Sequence, residues 1–359
     1  MPIQSLYEVL LKNADIEFKV SSDITTKGTH KVSAKLSAEV GIPLLGKGKS
    51  EGGYEYSSEK SSSNSYRYLE IDPEDANDLV RGGILYNEML EGEKDYYLYK
   101  YEAQLFQNKG HLLTKYLGSK ATFIELGPGS QQSLRLKTLP LLEFCTDLSG
   151  YVGIDISQSF LDKGLEVIRS RFPDILISGI QQDFTQLENL PKFEKPVIFF
   201  KGSTIANMRR DEVPIFISKI KNLVGQNHYL LLVHDANQDR DSLMKAYDNP
   251  KMAVFMENIM CRVNRDANLV GMLPQEFRYK PEWEPETHDL KHVLTATKSQ
   301  KFEIKGSTVE IEEGQKFHTL SSFKYPIEVF QETLSSTGYN PIDVVLDNSN
   351  RLAAHIFEG

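Results

Sequence analysis

A short apolar run, Thr122-Phe123-Ile124-Glu125-Leu126, ends in two glycines set one residue apart, Gly127-Pro128-Gly129, and Ser130 then leads into a helix from about Gln131. Few local patterns limit a fold so tightly. Gly127 and Gly129 let the backbone bend sharply and come close to a ligand without a Cβ in the way, and the helix start beyond them presents free N–H groups. Such a strand, turn and helix cradle a polar, nucleotide-like molecule. A dinucleotide would need a third glycine at position 132, where this chain has Gln132, so nicotinamide and flavin dinucleotides are disfavoured.

The neighbouring sequence repeats the strand-then-helix rhythm. Thr122 to Glu125, Tyr151 to Asp155, Ile175 to Ile180, Val197 to Phe200 and Tyr229 to Val233 are short, largely apolar runs with a helix or turn between them, the pattern of buried parallel strands in a doubly wound α/β sheet. Two further strands, Asp343 to Leu346 and Leu352 to Phe357, flank the turn Asp347-Asn348-Ser349-Asn350 and should close one edge as an antiparallel pair. Two later strands of the series are followed by polar groups. Asp155 is placed to accept hydrogen bonds from both hydroxyls of a ribose, and Asp183-Phe184 offers an acceptor and an aromatic edge to an adenine. Each residue also has a plainer role open to it, Asp155 as a helix cap and Phe184 as core. Glu125 before the two glycines resembles the acidic residue of the E/D-x-G-x-G turn of class I methyltransferases, and the ordered set implies S-adenosylmethionine as cofactor.

Composition narrows the partners. A net charge of -9 gives no overall reason to expect nucleic acid or an anionic membrane. No stretch approaches the roughly 20 apolar residues needed to span a bilayer, and no basic segment leads into an apolar one at the start, so the expectation is a cytoplasmic protein. Cys145 and Cys261 read as reduced core thiols, and the eight histidines are scattered without metal-ligand spacing, so no metal is expected.

Residues 1–75 look unlike the rest: short alternating segments surround a Gly, Lys, Ser and Glu-rich stretch from Gly46 to Ser65, which suggests a small β-rich appendage, a possible site for a protein partner. Asp72-Pro73-Glu74-Asp75 is a helix start and marks the boundary. The domain that follows, 76–359, begins with a tyrosine-rich helical stretch from Tyr86 to Leu117. Beyond about residue 275, Leu290 to Thr295, Lys301 to Ile304, Thr308 to Ile311 and Phe317 to Ser322 read as antiparallel hairpins of a second, β-rich substrate lobe drawn from parts of 76–115 and 245–330.

Seven segments, Tyr96-Tyr97 with Glu102-Ala103-Gln104, Glu125 to Ser130, Asp183-Phe184, Gly202-Ser203-Thr204-Ile205-Ala206-Asn207, Ala246-Tyr247-Asp248, Val263-Asn264-Arg265 and Ser322-Phe323-Lys324-Tyr325, occur in one order over roughly 85–359. Together they resemble the histidine N-alpha-methyltransferases of ergothioneine biosynthesis and the fungal ergot-pathway enzymes that N-methylate a prenylated tryptophan. That resemblance implies a cofactor set of Glu125, Gly127, Gly129, Ser130, Asp155, Asp183, Phe184, Gly202 and Ser203. It also implies that Asn207 and Tyr247 hold the α-amino and carboxylate groups of an amino acid and serve catalysis, with Tyr96 lining the side-chain pocket. An amide and a phenol suit that task, because they orient a zwitterion without competing for the methyl group. Asn207 as a cap and Tyr247 as a packed ring are the plainer readings. Two departures bear on substrate. Leu320, two residues before Ser322, stands where the histidine enzymes carry an imidazole-gripping Glu, and His292 stands at a neighbouring pocket position otherwise occupied by methionine. The expected activity is N-methylation of an amino acid or derivative other than histidine. A class I methyltransferase acting on another small molecule or a protein side chain stays open, as does a cofactor-binding protein without turnover.

Overall fold

Strands whose residues are apolar on both faces must be covered on both faces, and the central strands of the sheet found here meet that requirement. The computed structural model describes residues 4–5, 82–117, 119–266, 270–304 and 307–359. They fall into two units: Tyr96–Asp239 with Phe323–Gly359, and Met1–Asp95 with Arg240–Ser322.

The first unit holds a seven-stranded sheet: β1 (Ala121–Leu126), β2 (Leu148–Asp155), β3 (Leu176–Gln181), β4 (Lys195–Phe200), β5 (Tyr229–Asp235), β6 (Asn340–Leu346) and β7 (Leu352–Glu358). Their spatial order is β3-β2-β1-β4-β5-β7-β6. The pairs β1/β2, β1/β4, β2/β3 and β4/β5 are parallel, while β7 runs antiparallel to both β5 and β6. The terminal pair thus closes the sheet edge as the sequence predicts. Asp347 builds its turn by accepting from the backbone N–H groups of Ser349, Arg351 and Leu352 at 2.7, 2.7 and 2.8 Å. Strand order reverses between β1 and β4, so the crevice for a ligand opens at their C-terminal ends.

Every residue of β1 is buried, whereas β3 is an edge strand with Leu176 82% exposed, less covered than its apolar sequence suggests. Helices α1 (Tyr97–Thr114), α2 (Gln158–Arg171), α3 (Glu212–Val224) and α4 (Ile327–Ser335) belong to the same unit. Phe106 of α1 meets Phe199 edge-on at 5.5 Å, and Phe199 meets Phe123 at 6.0 Å. Each such fully buried ring contributes on the order of 2 kcal/mol by leaving water.

In the second unit, a four-stranded sheet runs Gln4–Ser5, Lys316–Phe323, Asp289–Ala296, Phe277–Glu284. Phe277–Glu284, which the sequence reading passes over, is the antiparallel partner of Asp289–Ala296. A separate hairpin joins Gln300–Ile304 to Ser307–Ile311. Helices Gly82–Gly92, Arg240–Tyr247 and Pro250–Asp266 complete the unit. The single helical stretch expected over Tyr86 to Leu117 is two helices, with a break over Glu93–Tyr96. The second of them, α1, belongs to the sheet unit, while the first, Gly82–Gly92, belongs to the unit of the β-rich sheet. Cys145 and Cys261 are free and only half-buried, so they are not core thiols in full. Of residues 1–75 only Gln4–Ser5 is described, pairing parallel to Phe317 and His318; the Gly46 to Ser65 stretch and the cap at Asp72 lie outside the described residues.

Candidate active site

The glycine turn at the end of β1 is held by its neighbour strand. Gly127 and Gly129 adopt φ of 69° and 73°, conformations that favour glycine. The Gly127 N–H donates to the Ile154 carbonyl at 2.8 Å and the Gly129 N–H to Asp155 Oδ2 at 3.3 Å. Ser130 caps the following helix, its hydroxyl accepting from the Ser133 N–H at 3.2 Å. Asp155 Oδ1 accepts from the Ser157 N–H at 3.0 Å, and Ser157, not Asp155, is the cap of α2. Burial pushes the Asp155 carboxyl up to about 6, against the backbone donors of Ser157 and Gly129 that favour its ionised form. After β3, Asp183 Oδ1 accepts from both the backbone and the hydroxyl of Thr185 at 2.8 and 2.7 Å. The Phe184 ring is 2% exposed and packs edge-on against Phe200 and Phe216, a core position.

Glu125 lies beneath this turn with no exposed surface. Its carboxylate accepts from Thr138 Oγ1 at 3.0 and 3.1 Å, from the Tyr151 hydroxyl at 2.6 Å, and from Lys201 Nζ. Lys201 Nζ also donates to the Pro128 carbonyl, inside the glycine turn, at 2.8 Å. Burial, followed by the Glu125 charge, holds the Tyr151 phenol well above its ordinary value, so it stays a donor. Thr138 is the last residue of Leu134–Thr138, a π-helical turn between Gln131–Ser133 and Leu139–Leu142, a local widening often found at working sites. The same turn sends Lys137 Nζ to Glu102 Oε2 of α1 at 2.6 Å.

The loop leaving β4 is tied on both sides. Gly202 and Ser203 have φ of 79° and 56°, two consecutive left-handed residues of which only the first is glycine. A serine there is strained, and two bonds hold the loop in place. The Gly202 N–H donates to Glu102 Oε1 at 2.6 Å, and Ser203 Oγ accepts from the Asp235 N–H at 3.0 Å. Asn207 ends the 3-10 turn Thr204–Asn207 and is half-buried. Tyr96, 8% exposed, precedes α1. At the end of β5 the Asp235 carboxylate accepts from the Tyr97 hydroxyl at 2.7 Å, from the Asn237 N–H at 3.1 Å and from Lys324 Nζ at 3.0 Å, while Asn237 Nδ2 donates to the Tyr97 oxygen at 2.9 Å.

The remaining sequence candidates lie in the second unit. Tyr247 closes the helix Arg240–Tyr247 and meets His292 edge-on at 5.6 Å; the His292 ring stacks on Tyr279 and its Nδ1 bonds the Tyr279 hydroxyl at 3.0 Å. Leu320 and Ser322 are buried two residues apart on Lys316–Phe323, and Thr319 Oγ1 donates to the His292 carbonyl at 3.0 Å. One unit therefore gathers Tyr96, Asn207 and all nine residues expected at the cofactor, and the other gathers Tyr247, His292, Leu320 and Ser322. The sequence reading assigned no part to Lys201, Thr138, Tyr151 or Lys137. A lysine between Phe200 and Gly202 at the end of an apolar strand was the one available signal.

A β3-β2-β1-β4-β5-β7-β6 sheet with only β7 reversed, a glycine turn after β1 and a buried carboxylate at the tip of β2 define a class I methyltransferase. The chain belongs to a particular family of them: residues 78–359 match the model for histidine-specific, SAM-dependent methyltransferases. Histidine N-alpha-methyltransferase of Mycolicibacterium smegmatis is 25% identical over 252 residues, 68% of this chain and 77% of that protein. N-methyltransferase imqF of Aspergillus flavus is 23% identical over 270 residues, 72% and 73% of the two chains. A crystal structure of an S-adenosylmethionine-dependent methyltransferase from Clostridium acetobutylicum aligns with a TM-score of 0.41 at 11% identity, covering 77% of this chain and 96% of that one. The protein is an S-adenosylmethionine-dependent N-methyltransferase of this family. Among the described residues no helix is long and apolar enough to cross a membrane.

Proposed function

We propose that this enzyme methylates the α-amino group of an amino acid or amino-acid derivative other than histidine. The observation that carries the choice of substrate is Leu320: a buried aliphatic side chain stands where an imidazole-gripping carboxylate is expected in the histidine enzymes, and it can accept no hydrogen bond.

The donor set fits the cofactor. The positive-φ turn at Gly127 and Gly129 allows close backbone approach, the helix start at Gln131 supplies N–H groups, and the Asp155 carboxylate is a buried acceptor suited to ribose hydroxyls. S-adenosylmethionine supplies an electrophilic methyl group on a sulfonium. The residues of this chain have to orient the amine and keep it neutral, since an ammonium has no lone pair. Asn207 and Tyr247, both uncharged, are proposed to hold the zwitterionic head, and burial beside a cation lowers the pKa of the amine. Tyr247 or a water relays the proton away. Positioning accounts for much of the rate, with no nucleophilic side chain required.

The test is mass spectrometry of an amino-acid panel, histidine included, incubated with enzyme and methyl-deuterated cofactor. Labelled methyl on an α-nitrogen, with histidine a poor substrate, is the expected result. Preferred labelling of histidine would overturn the Leu320 reading, and label on oxygen, sulfur or protein alone would overturn the amine.

A further inference from the structure

Buried ammonium groups are costly unless paired and fully hydrogen-bonded, so a lysine retained 4% exposed at the tip of a central strand calls for an explanation. Lys201 is the last residue before the left-handed pair Gly202-Ser203. Its Nζ meets the Glu125 carboxylate and the Pro128 carbonyl, so one cation joins the end of β4 to the end of β1 across the crevice where strand order reverses. Glu125 is also served by Thr138 and Tyr151, whereas the Pro128 carbonyl accepts from Lys201 Nζ. A carbonyl turned inward in this way leaves the flanking Gly127 and Gly129 in the conformation that carries their N–H groups to Ile154 and Asp155.

We infer that Lys201 is a positioning residue for the cofactor: by holding the Pro128 carbonyl it fixes the glycine turn in its binding conformation, and Glu125 serves to make that buried cation tolerable. The inference rests on the cofactor site described above. Loss of the cation removes one charge-assisted hydrogen bond from the turn, which corresponds to about a tenfold or greater loss of affinity for a ligand that needs the turn preformed.

Calorimetric titration of the full chain with S-adenosylhomocysteine tests this. Wild type should bind; failure there would count against the cofactor site itself, not against Lys201 alone. Lys201→Met leaves Glu125 buried without its counter-charge and risks misfolding, so the decisive variant is Glu125→Gln with Lys201→Met, which removes both charges together. That double variant should unfold cooperatively near the wild-type temperature yet bind about tenfold or more weakly, while Glu125→Gln alone, which keeps Lys201 on the Pro128 carbonyl, and Thr138→Val, which takes a donor from Glu125 without touching Pro128, should each stay within about threefold of wild type. Affinity in the double variant within about twofold of wild type, or an equal loss in Glu125→Gln alone or in Thr138→Val, would overturn the role assigned to Lys201.

Discussion

Burial and the proposed ribose contact pull the Asp155 carboxyl in opposite directions. Burial raises its carboxyl to about 6, so in the folded protein the ionised form is disfavoured, and between the ordinary carboxylate value near 4 and about 6 this group alone makes the fold less stable as pH rises. A ribose that donates two hydroxyl hydrogens needs the ionised form, so ligand affinity has the opposite slope. Binding of S-adenosylhomocysteine should be strongest above pH 7 and weaken by up to about tenfold per unit below about 6. Asp155→Asn should bind weakly and show no such slope. A flat wild-type profile from pH 5 to 8 in calorimetry would remove Asp155 from the site. The position of this carboxylate was legible, because a charged residue ending an apolar strand has few reasons to be there. The part played by Glu125 was not. The glycine motif marks it as a ligand contact, but the partners that enclose it, Thr138, Tyr151 and Lys201, are remote in sequence and only the folded sheet brings them to one carboxylate.

At the level of elements, most of the sheet follows from apolar runs of strand length, and the closing antiparallel pair from the turn after Asp343 to Leu346. Local sequence signals less well where periodicity is shared. Helical spacing continues through Glu93–Tyr96, and Gly92, a residue that favours a helix end, is the local sign that one helix stops there before another starts at Tyr97. The pairing of β5 with β7 carries a feature of its own. His234 Nε2 donates to the Tyr325 carbonyl at 2.9 Å, which leaves its Nδ1 to accept from His355 Nε2 at 3.0 Å. Both rings are then neutral, and protonating either nitrogen acceptor would set two donors against each other or charge a ring with no exposed surface. Burial accordingly holds His234 at about 4 and His355 well below its ordinary value. Since the unfolded chain takes up these protons first, stability should fall as pH drops from about 6.5 to 4, by roughly 3 kcal/mol from His234 alone. Urea unfolding at stepped pH measures the slope, and His355→Phe should make it shallower. An unchanged slope in that variant would show that other groups drive acid unfolding.

For the whole chain, the candidate residues divide between the two units. The nine cofactor candidates belong to the unit of Tyr96–Asp239 and Phe323–Gly359, while Tyr247 and His292 belong to the other. Tyr247→Phe, which keeps the ring contact with His292 and removes the hydroxyl, should raise KM for the amino acid about tenfold, yet leave affinity for S-adenosylhomocysteine within about twofold. Matched losses in both measurements would argue against a substrate role. The sequence reading already draws a second lobe from parts of 76–115 and 245–330, but the exact points of exchange were not legible, because the units are discontinuous and those points carry no proline- or glycine-rich linker.

Those exchange points share a fastening. Tyr97, Asn237 and Lys324 each lie within two residues of a place where the chain passes from one unit to the other, and all three are bonded to the carboxylate of Asp235. The chain on either side of segment 240–322 is therefore tied to one carboxylate, through Asn237 before it and Lys324 after it. A segment closed this tightly at its base can be lengthened or rewritten between residues 240 and 322 at little entropic cost to the sheet that holds its two ends.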